Sequence, residues 1–433
     1  MRVFNLLVVF MMVMALVGAP VNTSAQPAPA QAGRAEPLVE QYLRSGRLAE
    51  GEKALAEHLK TKPDDDQARF GLGTLQFLRA VERLMQSLYA YGLGNNQNSF
   101  GGGLPFARLP VPPNPDPRTI TYEGCREIAS AWIEDLAIAE ATLAQVKSSD
   151  VKLPVKIGLI RLDFNGDGAA GEDETLWKIF ARVQNIRGAA ATRPGGEMAQ
   201  QAEQFVIAFD AGDVQWLRGY CHLLMGLAEV MLAHDERELF ESTAHLFFPK
   251  VKSPYPYLGE GRKVADMGMG FDIADAIAFI HLIRFPVVEP QRMQSAHAHL
   301  TEMLQRSRAS WELILAETDD EREWIPNAKQ QTVLPNVRVT QEMIQSWLQF
   351  LDEAETLMAG KRLAPFWRGA DEQRGVNLRR VFTEPRPLDL VLWVQGSAAA
   401  PYLEQGELTR PDVWQNMARA FRGNLFGFAV WFN

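Results

Sequence analysis

Thr340-Gln341-Glu342-Met343-Ile344-Gln345-Ser346-Trp347-Leu348-Gln349-Phe350-Leu351, continued to Ala359 and closed by Gly360, reads as a helix with both ends marked. Thr340 offers a capping hydroxyl, Ile344, Trp347, Leu348 and Leu351 recur at i, i+3, i+4 and i+7, and Gly360 stops the run. The same period returns along most of the chain. Pro411 suits the first turn of another helix, with Met417 and Phe421 inward and Gly423 at its end. Further helices are expected around 119–147, 174–187, 197–209, 213–240, 272–284 and 291–317. Only Val155–Leu162 and Leu388–Val394 crowd apolar residues as strands do. The expectation is a mainly α protein with at most a minor β element.

Composition narrows the class. The 433 residues carry 44 Lys+Arg against 53 Asp+Glu, and no basic surplus exists to neutralise nucleic-acid phosphates. Ten Trp and 47% hydrophobic residues exclude a disordered chain. Two Cys exclude a disulfide-dense scaffold and a zinc ribbon. Residues 1–25 read as a secretory signal peptide: Arg2, an apolar run from Leu6 to Ala19, then Thr23-Ser24-Ala25 as a small-x-Ala exit. The run falls short of the roughly 20 residues a membrane span needs, and no later stretch supplies one. After cleavage no Asn-x-Ser/Thr acceptor remains, which points to a secreted, periplasmic setting. In that oxidising compartment Cys125 and Cys221 either pair or stay as two buried thiols; their spacing decides neither.

Residues 26–36 form a Pro/Ala spacer with nothing to bury. Helical patterning occupies 37–91, a Gly/Asn/Pro-rich break follows over 92–118, and a larger helical domain is expected over 119–433. A break of that length is a linker or a segment packed over a neighbour, and Phe100, Leu104, Phe106 and Leu109 favour packing. Within 38–78, Leu38, Tyr42, Gly46, Leu48, Leu55 and Pro63, then Ala68, Leu72 and Gly73, resemble the tetratricopeptide repeat, a helix–turn–helix unit. Gly51 and His58 stand where that repeat wants Ala, and the pattern fades after Gly73. The resemblance covers about a tenth of the chain. It implies a helical hairpin packed on the larger domain, and a surface on which a protein or peptide partner could dock.

The strongest chemical signal is Asp163-Phe164-Asn165-Gly166-Asp167-Gly168-Ala169-Ala170-Gly171-Glu172-Asp173-Glu174. Its spacing matches the D-x-[DN]-x-[DN]-G-x5-E calcium loop and resembles the EF-hand. Calcium wants six to eight hard oxygens, so the side chains of Asp163, Asn165 and Asp167 are expected to converge as the backbone curls. Ala169 would offer its carbonyl, Gly171 would leave a place for water, and Glu174 would close the shell with both oxygens. Gly168 permits the sharp turn. Behind the loop, Leu176, Ile179, Phe180 and Val183 suit an exiting helix. Ahead of it, Pro154 and Gly158 break helical continuity, so strand–loop–helix is expected and not a paired sensor.

Other clusters are weaker. Asp213 reads as a helix N-cap beside Asp210. Asp266, Asp272 and Asp275 surround a Gly-rich segment, and paired carboxylates of this kind could serve glycoside hydrolysis. Glu317–Glu323 reads as a solvated acidic turn, and His297 and His299 point to different faces of one helix. No H-E-x-x-H, G-x-S-x-G, P-loop or Rossmann pattern occurs. The expected function is an exported calcium-binding module of the cell envelope. An envelope hydrolase using Asp210 or Asp272, with calcium in a structural role, is the alternative. The aromatic C-terminus, Leu425 to Asn433, is expected to dock into the core.

Overall fold

The computed structural model describes residues 36–93, 111–183, 197–258, 271–334, 337–368, 373–421 and 431–432. Its helices in chain order are α1 (Glu40–Ser45), α2 (Leu48–Thr61), α3 (Asp66–Ala90), α4 (Tyr122–Leu143), α5 (Leu176–Val183), α6 (Glu197–Gln204) and α7 (Ala211–Leu232). They continue with α8 (Arg237–Thr243), α9 (Phe271–His281), α10 (Pro290–Ala316), α11 (Gln341–Met358), α12 (Leu378–Thr383), α13 (Leu390–Gln395) and α14 (Pro411–Ala420). Strands are short and antiparallel. β1 (Leu153–Val155) pairs with β2 (Ile207–Phe209), and β3 (Arg284–Phe285) with β6 (Leu388–Asp389). β5 (Arg374–Val376) lies between β4 (Ala364–Pro365) and β7 (Leu403–Gln405). The protein is mainly α, as the periodicity required.

Side-chain caps set several helix starts. The Asp65 carboxylate accepts the Ala68 N–H at 2.9 Å, the Thr121 hydroxyl that of Gly124 at 2.9 Å, and the Thr340 hydroxyl that of Met343 at 3.2 Å. Each satisfies a donor the first helical turn leaves without an internal partner. Where a boundary differs from expectation, a cap or a break explains it. The apolar run at Leu388–Val394 is a strand for only two residues, because Asp389 caps α13 through the Leu392 N–H at 2.9 Å. The run at Val155–Leu162 gives up its strand after Val155 to a 3₁₀ turn over Ile157–Leu159. The helix expected over 197–209 stops at Gln204 so that Ile207–Phe209 can pair with β1. The one expected over 213–240 divides after Leu232.

One apolar cluster runs from Val39 to Phe432, so the N-terminal helices share their core with the rest of the chain. α7 packs along α10, with α4 between α7 and α3. Trp216, Trp324 and Trp431 stack edgewise, with centroids 5.7 and 6.1 Å apart, and Trp216 Nε1–H donates to the Trp431 carbonyl at 2.8 Å. Trp431 and Phe432 are buried, which docks the aromatic C-terminus; Leu425 and its neighbours lie outside the described residues. Burying each such ring contributes on the order of 2–3 kcal/mol. Val111 and Leu93 are also buried, whereas the apolar residues at 100–109 lie outside the described residues. Residues 1–35, with the signal-like run and spacer, lie outside them too. Cys125 and Cys221 are free thiols on α4 and α7, and burial pushes both upward, Cys125 to about 12.

Candidate metal centre

Residues 163–174 form a loop pinned at both ends. Arg161 and Thr175 bridge antiparallel; the Leu162 N–H donates to the Glu174 carbonyl at 3.3 Å and the Leu176 N–H to the Ile160 carbonyl at 2.9 Å. Phe164 is buried and anchors the first limb. A 3₁₀ turn over Glu172–Glu174 leads through Thr175 into α5. Extended chain, loop and helix follow one another in the order that Pro154 and Gly158 imply.

Inside the loop the acidic side chains organise the main chain. Asp163 accepts the Gly166 N–H on Oδ1 at 2.7 Å and the Gly168 N–H on Oδ2 at 3.0 Å. Asn165 Oδ1 accepts the Asp167 N–H at 2.8 Å, and Asn165 Nδ2 donates to Asp167 Oδ2 at 3.0 Å. Asp167 Oδ1 accepts the Ala169 N–H at 2.9 Å. Glu174 reaches back across the loop, taking the Phe164 N–H on Oε1 at 3.0 Å and the Gly171 N–H on Oε2 at 2.8 Å. Such turns need φ of +73° at Gly166 and +88° at Gly168, which side chains with a β-carbon rarely adopt. Asp163 is buried, while Asp167, Ala169 and Gly171 face solvent.

This donor set suits a hard cation. A carboxylate oxygen has more than one acceptor direction, so an oxygen already holding an N–H can still meet a metal. The loop acids are spread around the ring. Among the described residues, three acids with oxygens all within 4.8 Å of one another occur elsewhere, at Asp210, Glu317 and Glu323. What the loop concentrates is charge. Burial raises Glu174, and Asp163 and Asp167 add to the rise. The sequence reading missed a further acid, Glu82 on α3, which is 8% exposed and accepts the Asp163 N–H at 2.9 Å. Burial chiefly, then Asp163 and Glu174, push the Glu82 carboxyl up to about 7. Its signal in the sequence is a glutamate among the inward residues Leu78, Val81 and Met85.

The second acidic group corrects two expectations. Asp210, not Asp213, caps α7: its Oδ1 accepts the Gly212 N–H at 2.8 Å and the Asp213 N–H at 3.4 Å. Asp213 Oδ2 returns the bond, accepting the Asp210 N–H at 3.1 Å. Helix α7 starts two residues before Asp213, so Asp213 falls at the third helical position and completes a reciprocal box. Glu317–Glu323 is no uniformly solvated turn. Glu323 is 1% exposed, because the chain after α10 doubles back and the Val333 N–H donates to the Glu323 carbonyl at 3.0 Å. Burial and Asp210 push Glu317 up to about 8 and Glu323 up to about 7, and burial likewise lifts Asp213 well above the carboxylate range. Lys152 Nζ sits 3.6 Å from Asp210 and 2.9 Å from Asp319, a built-in counter-cation.

The hydrolase alternative asks Asp210 or Asp272 to line an open cleft. Asp210 is 5% exposed and engaged as a cap, and the side chains of Asp272 and Asp275, with all of Asp266, lie outside the described residues. His297 and His299 do face apart. His297 Nε2 lies 2.7 Å from the Met358 carbonyl, whereas His299 Nδ1 lies 3.0 Å from His222 Nδ1. Burial lowers His299, and His222 adds to it. Comparison of the chain with family models, with curated proteins and with solved structures matches none of them. Fold and geometry therefore define a class: a mainly α protein in which, among the described residues, an acidic loop leads into a helix and a largely buried carboxylate cluster forms at Asp210, Glu317 and Glu323.

Proposed function

We propose that this chain is an exported calcium-binding protein of the cell envelope, in which loop 163–174 takes one ion in a structural or interaction role. The carrying observation is the closure of the loop on Asp163, whose two oxygens hold the Gly166 and Gly168 amides while Glu174 straps Phe164 to Gly171. Asp163, Asn165 and Asp167 would offer side-chain oxygens, Ala169 its carbonyl, Gly171 a water-filled place, and Glu174 its carboxylate. Three negative charges and an amide suit calcium better than magnesium, which wants tighter octahedral geometry and keeps more water. The apolar run at Leu6–Ala19 with its small-residue exit supports export. Among the described residues no helix is long and apolar enough to cross a membrane.

Calorimetric titration of the purified protein with calcium and with magnesium tests the reading. The expected dissociation constant for calcium is on the order of 10⁻⁴–10⁻³ M, as for extracellular modules. Glu174→Gln should abolish the heat. Calcium uptake that survives both Asp163→Ala and Glu174→Gln would place the ion elsewhere and sink the assignment.

A further inference from the structure

The acidic loop is held from outside by the N-terminal helices. α3 grips the Asp163 peptide on both sides. The Glu82 carboxylate accepts its N–H at 2.9 Å, and the Gln86 side-chain amide donates to its carbonyl at 2.8 Å. From α1, the Leu43 carbonyl accepts the Arg161 N–H at 2.9 Å, two residues before the loop. Glu40, buried at the start of α1, accepts the Lys156 N–H at 3.4 Å. Gly46, the left-handed residue ending α1 at φ +68°, presses on the far limb: a β-carbon there would come within 2.2 Å of Ala170 Cβ. Residues 40–86 thus touch the limb that leads into the loop, its first acid and, at Ala170, its second half.

Asp163 is the residue on which this grip and the loop's own closure coincide. Its peptide belongs to α3 and its carboxylate to the loop. A cation that fixes the carboxylate also fixes the peptide offered to Glu82 and Gln86, and docking of α3 in turn removes part of the ordering cost of binding the cation. Coupling between two such events is reciprocal. We propose that the cation loop is the clasp of the N-terminal helices. Glu82 and Gln86 act as positioning residues that hold Asp163 for the ion, and a bound ion holds residues 40–61 against the body. The inference rests on the calcium reading of the loop and adds what that ion controls: exposure of the one region whose sequence suggests a docking surface.

Amide hydrogen exchange of the purified protein, with and without millimolar calcium chloride, reads the clasp directly, and calorimetry reads the affinity. Calcium should slow exchange across 40–61 at least about fivefold, and Glu174→Gln should remove the slowing. Gln86→Leu keeps the volume and loses the donor, so it should raise the calcium dissociation constant about tenfold. Glu82→Gln keeps an oxygen acceptor for the Asp163 N–H and should bind within about threefold of the parent. Calcium bound by the parent with exchange at 40–61 unmoved overturns the clasp and leaves the calcium reading standing. Absence of any calcium heat in the parent overturns that reading and the clasp together. Parent-like affinity in Gln86→Leu, or a tenfold loss in Glu82→Gln, overturns the positioning role. Should Gln86→Leu fail to fold, the exchange comparison on the parent protein still decides the clasp.

Discussion

Two acid-rich regions of this molecule handle negative charge in opposite ways. In the loop at 163–174 Asp163, Asp167 and Glu174 are oriented by main-chain amides and meet no lysine or arginine among the ion pairs of the described residues, while Lys178 pairs only with Glu172 at 3.5 Å and Asp173 at 3.1 Å, at the end of the loop. In the cluster of Asp210, Asp213, Glu317 and Glu323, acids converge under cover, Lys152 sits beside them, and protons held near neutral pH remove much of the remaining charge. Carboxylate count therefore says little about metal binding. What separates the two regions is whether the countercharge stands beside the acids that would hold the ion: Lys152 sits by Asp210, whereas Lys178 serves Glu172 and Asp173 and leaves Asp163, Asp167 and Glu174 to main-chain amides.

Four measurements break or sharpen that contrast. The largest effect belongs to Lys152→Met, which leaves the buried acids without their cation and should cost about 3 kcal/mol in urea unfolding, with or without calcium. A loss confined to calcium-free protein would tie Lys152 to the loop and dissolve the distinction. Next, 10 mM calcium should stabilise the parent by about 1.4–2.7 kcal/mol for a site in the expected affinity range, and Asp163→Ala should erase the gain in a thermal melt.

The third concerns pH. Glu317 and Glu323 titrate higher folded than unfolded, so the stability they lend is fully present below their unfolded value near 4.5 and is lost as pH rises through about 7 to 8. His299, lowered on folding, works the other way: its contribution is present above its unfolded value near 6.5 and is lost as pH falls below it. Calcium-free protein should accordingly be most stable in mildly acidic buffer and lose roughly 1–2 kcal/mol between pH 6 and pH 9. A stability profile that rises across that interval contradicts the buried cluster. The smallest effect is Asp213→Asn, which keeps an acceptor for the Asp210 N–H and removes a buried titrating group. It should change the urea midpoint at pH 7 by less than about 1 kcal/mol, and Asp213→Leu should cost more by leaving that amide unanswered.

Much of the fold was legible because its signals are local. Thr340 and Gly360 bracket α11, which ends at Met358, two residues before that glycine; Ile344, Trp347 and Leu351 are buried as their spacing required, and Leu348 is half-buried against the same core. Pro154 and Gly158 imply an extended approach to the loop in place of an entering α-helix; Leu153–Val155 is extended, but a 3₁₀ turn over Ile157–Leu159 takes up the middle of the run. Boundaries shifted where one side chain redirected the chain, as Asp389 did by capping α13 and turning a strand-like run into a helix. Asp210 displaced Asp213 as the cap for a similar reason: both residues offer a carboxylate within one turn, and only the choice of first helical residue separates them.

By itself the sequence determined the helical class and the acid spacing of the loop with its turn at Gly168, since both depend on spacing within a dozen residues. Tertiary structure alone decided that Glu82 and Gln86 meet Asp163 from 81 and 77 positions away, and that buried Glu323 and half-buried Glu317 come together beside Asp210. No periodicity encodes such meetings. They follow from how helices pack, and packing is chosen by the whole apolar surface at once.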